Sequence, residues 1–441
     1  MKVHTIGGYS EVGKNMTVVE MKDDAIAFDC GLYLPAVIDL QEKSVNPTTK
    51  ILRECKALPD DLVLNGVKSK VRAFLLGHAH LDHLGAIPYI SNEYRADIVG
   101  TPFTIEVLRA LLEDKIHLKN QIKPVHPNSS FTINGKNKKY VADFLNITHS
   151  TIQTSLIALH TDEGAILYAN DFKLDNNPIV GKKPNYEIIK KISKEGVKLL
   201  IVDSLYSGEE RKTPSEKIAR ALLEEVLLTV AHENRGIVIT TFSSHIARLK
   251  SIVDFSKQLG RKIVFVGRSL NKYVSAAKKV KMCPFEKDIQ LFSYKNQLKS
   301  ALKKVNNNRK EYVIVCTGHQ GEPDSILDRM SKDDLPFKFN PQDSVIFASR
   351  VIPTTVNIAN RQIVEKRLKH KDVRIFDNIH VSGHAGREDL RDFINMINPE
   401  NIIPAHGSLE QLTPMVELAK ELGYKFGKTV HLMQNSQTLN L

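Results

Sequence analysis

The distribution of apolar and polar positions divides the chain into regions of different character. Up to residue 207, short runs rich in β-branched and aromatic residues alternate with polar turns, which predicts strands. A helix is predicted over residues 84–94, shortly after a strongly apolar run. The predicted strands of this region are residues 17–21, 25–29, 71–76, 98–100, 144–148, 165–169 and 198–203.

From residue 208 onward the period of the pattern changes. Amphipathic helical stretches at 215–232 and 245–259 alternate with wholly apolar runs. Alternation of this kind predicts βαβ units and a parallel sheet. After residue 370, strand and loop character returns at 372–376 and 380–381, and a pair of helices follows. The apolar runs of the central region are residues 236–240, 262–266, 312–316 and 344–348.

The composition excludes several classes of protein. With 441 residues, of which 42% are hydrophobic and 25% charged, the chain can bury a core and is not a disordered protein. It contains no run of 18 apolar residues, and its first residues lack the apolar stretch of a secretory signal. Four cysteines lie far apart without a C-x-x-C pair, so neither a disulfide scaffold nor a thiolate zinc site is expected. These features favour a cytoplasmic protein without a membrane partner.

The charge balance points to a class of partner but names no chemistry. Lysine and arginine total 62 against 50 aspartate and glutamate, which gives a formal net charge of +12. A basic chain favours a polyanionic partner, with nucleic acid first. Solvated lysines of a generally basic proteome explain the excess equally well.

The strongest chemical signal is the motif H-x-H-x-D-H at residues 78–83, immediately after the apolar run 71–76. Imidazole and carboxylate together suit Zn²⁺ or Mn²⁺ better than Mg²⁺, which prefers oxygen ligands. A histidine-rich surface loop is the alternative interpretation. Further ligands are expected at the ends of other strands, and the candidates there are His149, Asp171 and His406.

Together with Asp29, these residues resemble the motifs of the metallo-β-lactamase superfamily along the whole chain. More than 200 residues separate Asp171 from His406, and this insertion resembles the β-CASP domain of nucleic-acid-processing members, with Asp203 and His384 as its signature residues. Within that group, several stretches resemble the ribonuclease J family. The chain ends 35 residues after His406, as in the shorter archaeal form, which leaves open any oligomer that needs a longer C-terminal part. The stretches are residues 7–15, 170–173, 317–323 and 380–385.

The resemblance implies an α/β fold with a definite domain order. Residues 1–207 and 371–441 would form a metallo-β-lactamase αββα sandwich. Residues 208–370 would form the inserted β-CASP domain, a parallel sheet flanked by helices.

The resemblance also implies a centre with two divalent metal ions, zinc first, with manganese or magnesium as alternatives in activity. His78, His80 and His149 would hold one ion. Asp82, which is also assigned a catalytic role, would hold the second ion with His83 and His406. Asp171 would bridge the two ions, and a pair of cations lowers the pKa of a shared water.

Three further residues have implied roles around this centre. Asp29 would orient the ligand loop, or be an ordinary carboxylate at a strand end. His384 would stabilise the phosphate or protonate the leaving oxygen, with Asp203 orienting it. A structural turn around a buried histidine is the alternative for residues 382–384.

Candidate RNA contacts follow the apolar runs of the inserted region, where an α/β sheet usually binds its ligand. Hydroxyl and guanidinium groups there suit phosphates and 2′-hydroxyls. Phe242 suits either base stacking or core packing. The candidates are Phe242, Ser243, Ser244, Gly267, Arg268, Ser269, Ser349, Arg350, His380, Ser382, Gly383 and His384.

The function implied is that of a metal-dependent ribonuclease on single-stranded RNA, working 5′→3′ from a 5′-monophosphate. One alternative is a β-CASP endonuclease of the mRNA 3′-end-processing type or a DNA repair nuclease. Another is a catalytically silent RNA-binding scaffold. A homodimer and partners from RNA decay or translation are compatible with this hypothesis.

Overall fold

The structure is a computed structural model that describes residues 1–112, 117–352 and 354–441. The chain forms two compact units. The first unit comprises residues 1–176, 182–213 and 382–441. The second unit comprises residues 177–181 and 214–381.

The strands are numbered from the N-terminus to the C-terminus. They are β1 (Lys2–Gly7), β2 (Met16–Glu20), β3 (Ala25–Phe28), β4 (Val71–Leu76), β5 (Asp97–Gly100), β6 (Ile122–Pro124), β7 (Ser129–Asn134), β8 (Lys139–Asn146), β9 (Ser155–Thr161), β10 (Gly164–Ala169), β11 (Val197–Asp203), β12 (Ile237–Thr240), β13 (Lys262–Val266), β14 (Ile289–Phe292), β15 (Tyr312–Cys316), β16 (Ser344–Phe347), β17 (Arg374–Phe376), β18 (Asn401–Ala405) and β19 (Gln437–Asn440).

The helices are numbered in the same way. They are α1 (Leu34–Glu42), α2 (Thr49–Glu54), α3 (Leu81–Leu84), α4 (Ile87–Ile90), α5 (Pro102–Leu112), α6 (Tyr186–Glu195), α7 (Glu216–Leu228), α8 (Ile246–Gln258), α9 (Arg268–Lys279), α10 (Lys295–Asn307), α11 (Ile326–Ser331), α12 (Thr355–His370), α13 (Arg387–Ile397) and α14 (Leu409–Glu421). Short 3₁₀ turns lie at Asp61–Leu64, Lys68–Lys70, Ser91–Glu93, Glu286–Asp288 and Arg309–Glu311.

Two mixed sheets face each other in the described part of the first unit. Their strand orders are β19-β1-β2-β3-β4-β5-β6 and β18-β11-β10-β9-β8-β7. Apolar side chains from both sheets form one core, in which the rings of Phe28 and Tyr168 stack at 5.0 Å. Helices α6, α13 and α14 pack on the outer face of the second sheet, and α5 packs against β5 and β6. This arrangement confirms the predicted sandwich of two sheets between helices.

The second unit is built on a parallel sheet. Its order is β14-β13-β15-β12-β16-β17, and all of its described pairings are parallel, which confirms the expectation from the βαβ pattern. Helices α10, α11 and α12 pack on the sheet through Leu302, Leu327 and Leu368. The buried guanidinium of Arg248 donates hydrogen bonds to the carbonyls of Ala348 and Ile379, which fixes two loops at the carboxyl edge of the sheet.

The segment predicted as one helix over residues 84–94 forms short turns instead, namely α3, α4 and the 3₁₀ turn Ser91–Glu93. Gly85 ends α3, and a Cβ at this position would lie only 2.4 Å from the carbonyl of Leu81. Pro88 has no N–H to donate to the preceding turn, so the helical ladder cannot continue through it. The apolar residues of this segment therefore recur with a helical spacing because successive short turns are buried, and not because one helix continues through them.

Two predicted extended segments also differ from the structure. The run 144–148 belongs to a strand that begins at Lys139 and ends at Asn146, because it pairs with β7 and β9 along that length. Residues 380–381 form no strand. The strand that precedes them, β17, lies at the edge of its described sheet and ends at Phe376. In the described residues no helix is long and apolar enough to cross a membrane, and the cysteines are unpaired.

Candidate metal centre

The strands of the first unit bring the predicted ligands together at their carboxyl ends. β10, β11 and β18 are parallel neighbours, so Asp171, Asp203 and His406, which follow or end them, lie at one edge of their sheet. In the facing sheet, β3 and β4 are also parallel neighbours, and they lead into Asp29 and the 78–83 loop. The strand ends of both sheets therefore supply the site.

The first ligand group combines three imidazoles with one carboxylate. His80 Nδ1 lies 3.0 Å from His78 Nε2 and 3.3 Å from His149 Nε2. Asp171 Oδ2 lies 3.5 Å from His78 Nε2 and 3.8 Å from His149 Nε2. One nitrogen or oxygen of each of these residues lies within 4.8 Å of all the others. This is a donor set that one cation can bind.

The second ligand group shares the same carboxylate. Asp171 Oδ1 lies 3.2 Å from His83 Nε2 and 3.4 Å from His406 Nδ1, and Asp82 Oδ2 lies 3.5 Å from His83 Nε2. Burial would raise the pKa of Asp171, but the neighbouring His406 and His83 hold it well below its usual range. Asp171 is therefore a carboxylate that presents one oxygen to each group.

The electrostatics of the first ligand group fit a divalent cation. Burial lowers the pKa of His78 and of His149 well below the ordinary value, and that of His80 to about 4. These imidazoles are therefore neutral at pH 7 and present lone pairs. The buried atoms His78 Nδ1 and Asp171 Oδ1 make no hydrogen bond to the described residues. Neutral imidazoles packed against carboxylates are the ligands that Zn²⁺ and similar ions take.

The backbone at three site residues lies in the left-handed region. The φ angles are +57° at Asp29, +55° at Asp171 and +65° at His406. A left-handed conformation at a residue other than glycine costs about 1 kcal/mol or more. Each of these residues follows a strand, so the unusual φ turns its side chain away from the path of the strand and into the site.

Asp29 fixes the orientation of the second group. Its carboxylate accepts a hydrogen bond from the backbone N–H of Gly77 at 2.8 Å and from the Tyr168 hydroxyl at 2.8 Å. Its Oδ2 lies 2.7 Å from His83 Nδ1. Because Nδ1 of His83 donates to this carboxylate, its Nε2 is the nitrogen with a lone pair for a metal ion.

We expect Asp29→Ala to lower the metal affinity of the second ligand group by about 10- to 100-fold, because His83 loses the partner that fixes its tautomer. Tyr168→Phe is the matched control, since it removes one hydrogen bond to the same carboxylate and leaves the His83 contact intact. Competition with a fluorescent zinc chelator measures both variants. Equal affinities for Asp29→Ala and Tyr168→Phe would show that Asp29 does not orient His83.

An imidazole–carboxylate pair lies beside the ligands. His384 Nδ1 lies 2.8 Å from Asp203 Oδ2. The centroid of the His384 ring lies 5.1 Å from that of His149 and 5.4 Å from that of His406. Burial alone would lower the pKa of His384, but the carboxylates of Asp203 and Asp171 raise it to about 9. The pair therefore holds an imidazolium proton next to both ligand groups.

The loop before His384 is tied to the first ligand group. The carbonyl of Gly383 lies 2.8 Å from His149 Nδ1, which leaves Nε2 of that histidine for a metal ion. A Cβ at Gly383 would lie 2.9 Å from Cε1 of the same ring, so this position requires glycine. Ser382 Oγ accepts a hydrogen bond from the backbone N–H of His384 at 3.0 Å.

Sequence reasoning assigned no role to Asn15, although its side chain contacts the second group. Asn15 Nδ2 lies 3.0 Å from His83 Nε2, and Asn15 Oδ1 lies 3.1 Å from His406 Nδ1. Asn170 donates to the same Oδ1 at 3.2 Å. Both asparagines lie in stretches that carry the family resemblance, which was the available signal.

Ser150 and Tyr206 are further neighbours that the sequence left unassigned. Ser150 Oγ lies 3.1 Å from His149 Nε2 and 3.5 Å from His80 Nε2. The Tyr206 ring packs edge-on at 5.9 Å from the His384 ring. No sequence pattern marks either residue, because its place beside the histidines depends on the path of its loop and not on a local motif.

The RNA-contact candidates of the second unit lie at the carboxyl edge of its parallel sheet. Arg268, Ser269 and Arg350 are exposed, and Ser243 Oγ lies 2.9 Å from Ser269 Oγ. Phe242 is half-buried, with its ring 4.1 Å from the His319 ring. The remaining candidates are less accessible: Ser244, Gly267 and Ser349 are buried and His380 is half-buried.

Comparison with known proteins connects this geometry to a family. The family model "Ribonuclease J, beta-CASP domain" matches residues 234–366, and "Zn-dependent metallo-hydrolase RNA specificity domain" matches residues 372–433. Ribonuclease J of Methanocaldococcus jannaschii is 40% identical over 444 residues, which cover 100% of this chain and 98% of that protein. Ribonuclease J of Pyrococcus abyssi is 40% identical over 443 residues, which cover 100% of this chain and 97% of that protein.

More distant proteins share the fold. Ribonuclease J of Helicobacter pylori strain 26695 is 29% identical over 451 residues, and the match covers 100% of this chain and 61% of that protein. A crystal structure of a protein of unknown function from Enterococcus faecalis V583 aligns with a TM-score of 0.67 at 17% identity. That alignment covers 100% of this chain and 99% of the other, and it supports the fold alone.

Proposed function

Because this chain belongs to the ribonuclease J family and is a metal-dependent ribonuclease, we propose that it degrades single-stranded RNA 5′→3′ from a 5′-monophosphate end. The observation that supports the hydrolytic chemistry best is the pair of ligand groups joined by Asp171. In this proposal the first unit is the metallo-β-lactamase domain and the second unit is the β-CASP domain.

The proposed cofactors are two zinc ions. His78, His80 and His149 would hold one, and the second group would hold the other, with Asp171 contributing to both. When bound, such ions supply the Lewis acidity that polarises a phosphodiester and lowers the pKa of water. The same donor set accepts manganese, so reconstituting the metal-free protein with each ion in turn identifies the metal that supports activity.

The side chains around the ions would position them and move the proton. Asp29 and the carbonyl of Gly383 orient two of the imidazoles through their Nδ1 atoms. His384 donates from Nδ1 to Asp203, so its Nε2 is the atom that would give a proton to the leaving oxygen of the cleaved phosphodiester. Asp203 would stabilise the imidazolium until that transfer.

The RNA itself would be held in part by the second unit. Exposed guanidinium groups of Arg268 and Arg350 would neutralise phosphates, and the hydroxyls of Ser243 and Ser269 would contact phosphate or 2′-hydroxyl oxygens. Phe242 would stack on a base with the part of its ring that is exposed. We propose that the loop formed by residues 382–384 binds the 5′-terminal phosphate of the RNA.

An RNA that is labelled in its 5′-terminal nucleotide and carries either a 5′-monophosphate or a 5′-triphosphate tests the direction of degradation. We expect mononucleotides from the first minutes and an initial rate at least about tenfold higher on the monophosphate, because the terminal phosphate is bound as a specific ligand. Capture of released 5′ nucleotides by thin-layer chromatography measures this rate.

Other products would contradict the direction or the substrate. Discrete internal fragments with no mononucleotide would favour an endonuclease of the mRNA 3′-end-processing type. Equal cleavage of single-stranded DNA would favour a DNA repair nuclease, and binding without cleavage would favour a silent scaffold. Sedimentation of the purified full chain tests the homodimer, and co-purification with tagged protein tests partners from RNA decay or translation.

A further inference from the structure

Helix α10 of the second unit has an unusual charge pattern. From Ser293 to Lys310 the sequence contains no aspartate or glutamate. The helix exposes Lys299, Lys303 and Lys304 to solvent. Lys299 and Lys303 lie one turn apart on the same face of the helix, and Lys304 projects about 100° to the side of Lys303, so the three charges lie near one another on the exposed part of α10. We call Lys299, Lys303 and Lys304 the α10 lysines.

The α10 lysines differ in their pairing from several other lysines of the same unit. Among the described residues, none of them forms an ion pair with a carboxylate. Three other lysines on this unit are paired within 3.0 Å: Lys257 with Asp288, Lys262 with Glu311, and Lys332 with Asp328. The α10 lysines therefore carry three uncompensated positive charges, which favour a polyanionic partner.

An exposed aromatic ring and a cavity adjoin the same helix. Tyr294, which immediately precedes α10, is 73% exposed, although a tyrosine usually packs at least one face of its ring. A cavity of about 550 Å³ lies between α10 and the sheet. Its floor is apolar and includes Val264 and Tyr312, and polar groups of Gln290, Asn296 and Lys304 line it.

The position of α10 connects these features to the carboxyl edge of the sheet. β14 runs parallel to β13 at the edge of the sheet, and α10 follows β14. The helix therefore begins at the carboxyl edge, where Arg268 and Arg350 are exposed, and runs back along the side of the unit. A single strand lying on that edge can continue along α10.

We propose that Tyr294 and the α10 lysines form an accessory docking surface for single-stranded RNA, separate from the catalytic centre. The lysines bind the phosphate backbone, and the Tyr294 ring stacks on a base, a combination that binds single strands without sequence preference. The proposal rests on the proposed function, because it takes RNA as the substrate. It predicts higher affinity for long RNA and no effect on short RNA.

The variant K299Q/K303Q/K304Q tests the surface in the full-length, metal-loaded protein. The probe is a 2′-O-methyl phosphorothioate RNA of about 30 nucleotides, which resists hydrolysis and exceeds the footprint of a single groove. We expect about a tenfold rise in Kd, and the slope of log Kd against log salt should fall by about 2, since each single-strand phosphate contact contributes about 0.7. K190Q/K191Q/K194Q on α6 is the matched control, with three exposed lysines neutralised.

Two further measurements separate the contributions. Tyr294→Ala should raise Kd by about tenfold while Tyr294→Phe leaves it unchanged, because stacking needs only the ring. Both lysine variants should keep the wild-type kcat and KM on an RNA of about four nucleotides, because the proposed surface binds an extended single strand longer than that. The binding assay measures affinity without cleavage. A wrong docking surface is therefore distinguishable from a wrong proposed function.

The proposal is overturned if K299Q/K303Q/K304Q binds the long RNA with the wild-type Kd and salt slope. It is also overturned if the α6 control loses as much affinity, since the effect would then be net charge alone. If K299Q/K303Q/K304Q loses binding to poly-glutamate but binds RNA as the wild type does, the surface would be assigned to an acidic protein segment. That result would likewise reject the RNA proposal.

Discussion

Asp171→Ala is expected to abolish RNA hydrolysis and to reduce the bound metal from two ions to at most one. Each oxygen of this carboxylate faces one ligand group, at 3.5 Å from His78 Nε2 and 3.2 Å from His83 Nε2. Loss of the shared ligand should lower kcat/KM by about 10⁴-fold or more, because residues that act as a unit fail together. Initial rates on 5′-monophosphorylated RNA and elemental analysis of the dialysed protein measure the two effects.

Two further variants separate the loss of the ligand from general damage to the protein. Asp171→Asn keeps the volume and one carbonyl oxygen, so it should retain more metal than Asp171→Ala while remaining strongly impaired. Asp162→Asn removes a well-exposed carboxylate and should behave as wild type. Full metal content with unchanged turnover in Asp171→Ala would exclude the shared-ligand assignment.

His384→Ala is expected to lower kcat by about 10²- to 10⁴-fold, which is the usual contribution of a positioned proton donor. The metal content should stay at two ions, because His384 bonds to Asp203 and lies outside the two ligand groups that we propose hold the ions, although it forms a third cluster with Asp203 and Asp171. KM should change little if the residue acts on the leaving oxygen in the transition state. Steady-state kinetics with elemental analysis of the same preparation distinguishes proton transfer from metal binding.

Asp203→Asn gives a graded comparison for the same pair. An amide oxygen can still accept from His384 Nδ1, but it cannot stabilise the imidazolium by charge. Its kcat should therefore lie between those of wild type and His384→Ala. An unchanged kcat in His384→Ala, or a loss of metal equal to the loss of rate, would remove His384 from the proton-transfer role.

The ligand motif was readable from the sequence because its members are close together and follow a recognisable strand. The H-x-H-x-D-H loop at 78–83 follows β4 within two residues. His149, Asp171 and His406 lie far apart along the chain. Only two signals grouped them as candidate ligands: each follows a predicted strand, and each matches a motif of the family. The parallel register of β10, β11 and β18 is the physical reason that Asp171 and His406 lie at one edge of the sheet.

Other features depend on tertiary packing that no local pattern encodes. Asn15 contacts His83 and His406 across the chain, and Tyr168 reaches Asp29 from the facing sheet. The broken helix at residues 84–94 is different, because Pro88 already signalled the break while the apolar period favoured continuity. The absence of ion pairs at the α10 lysines, within the described part of the chain, could be found only from the structure, since a lysine-rich sequence does not reveal where the carboxylates lie.

The most direct test of the account is a crystal structure of the zinc-loaded protein with anomalous data at the zinc edge. We expect two peaks in the first unit. One peak should lie at about 2.0–2.3 Å from nitrogens of His78, His80 and His149, and the other at that distance from Asp82, His83 and His406, with Asp171 bound to both. A single peak, or two peaks that do not share Asp171, would contradict the account.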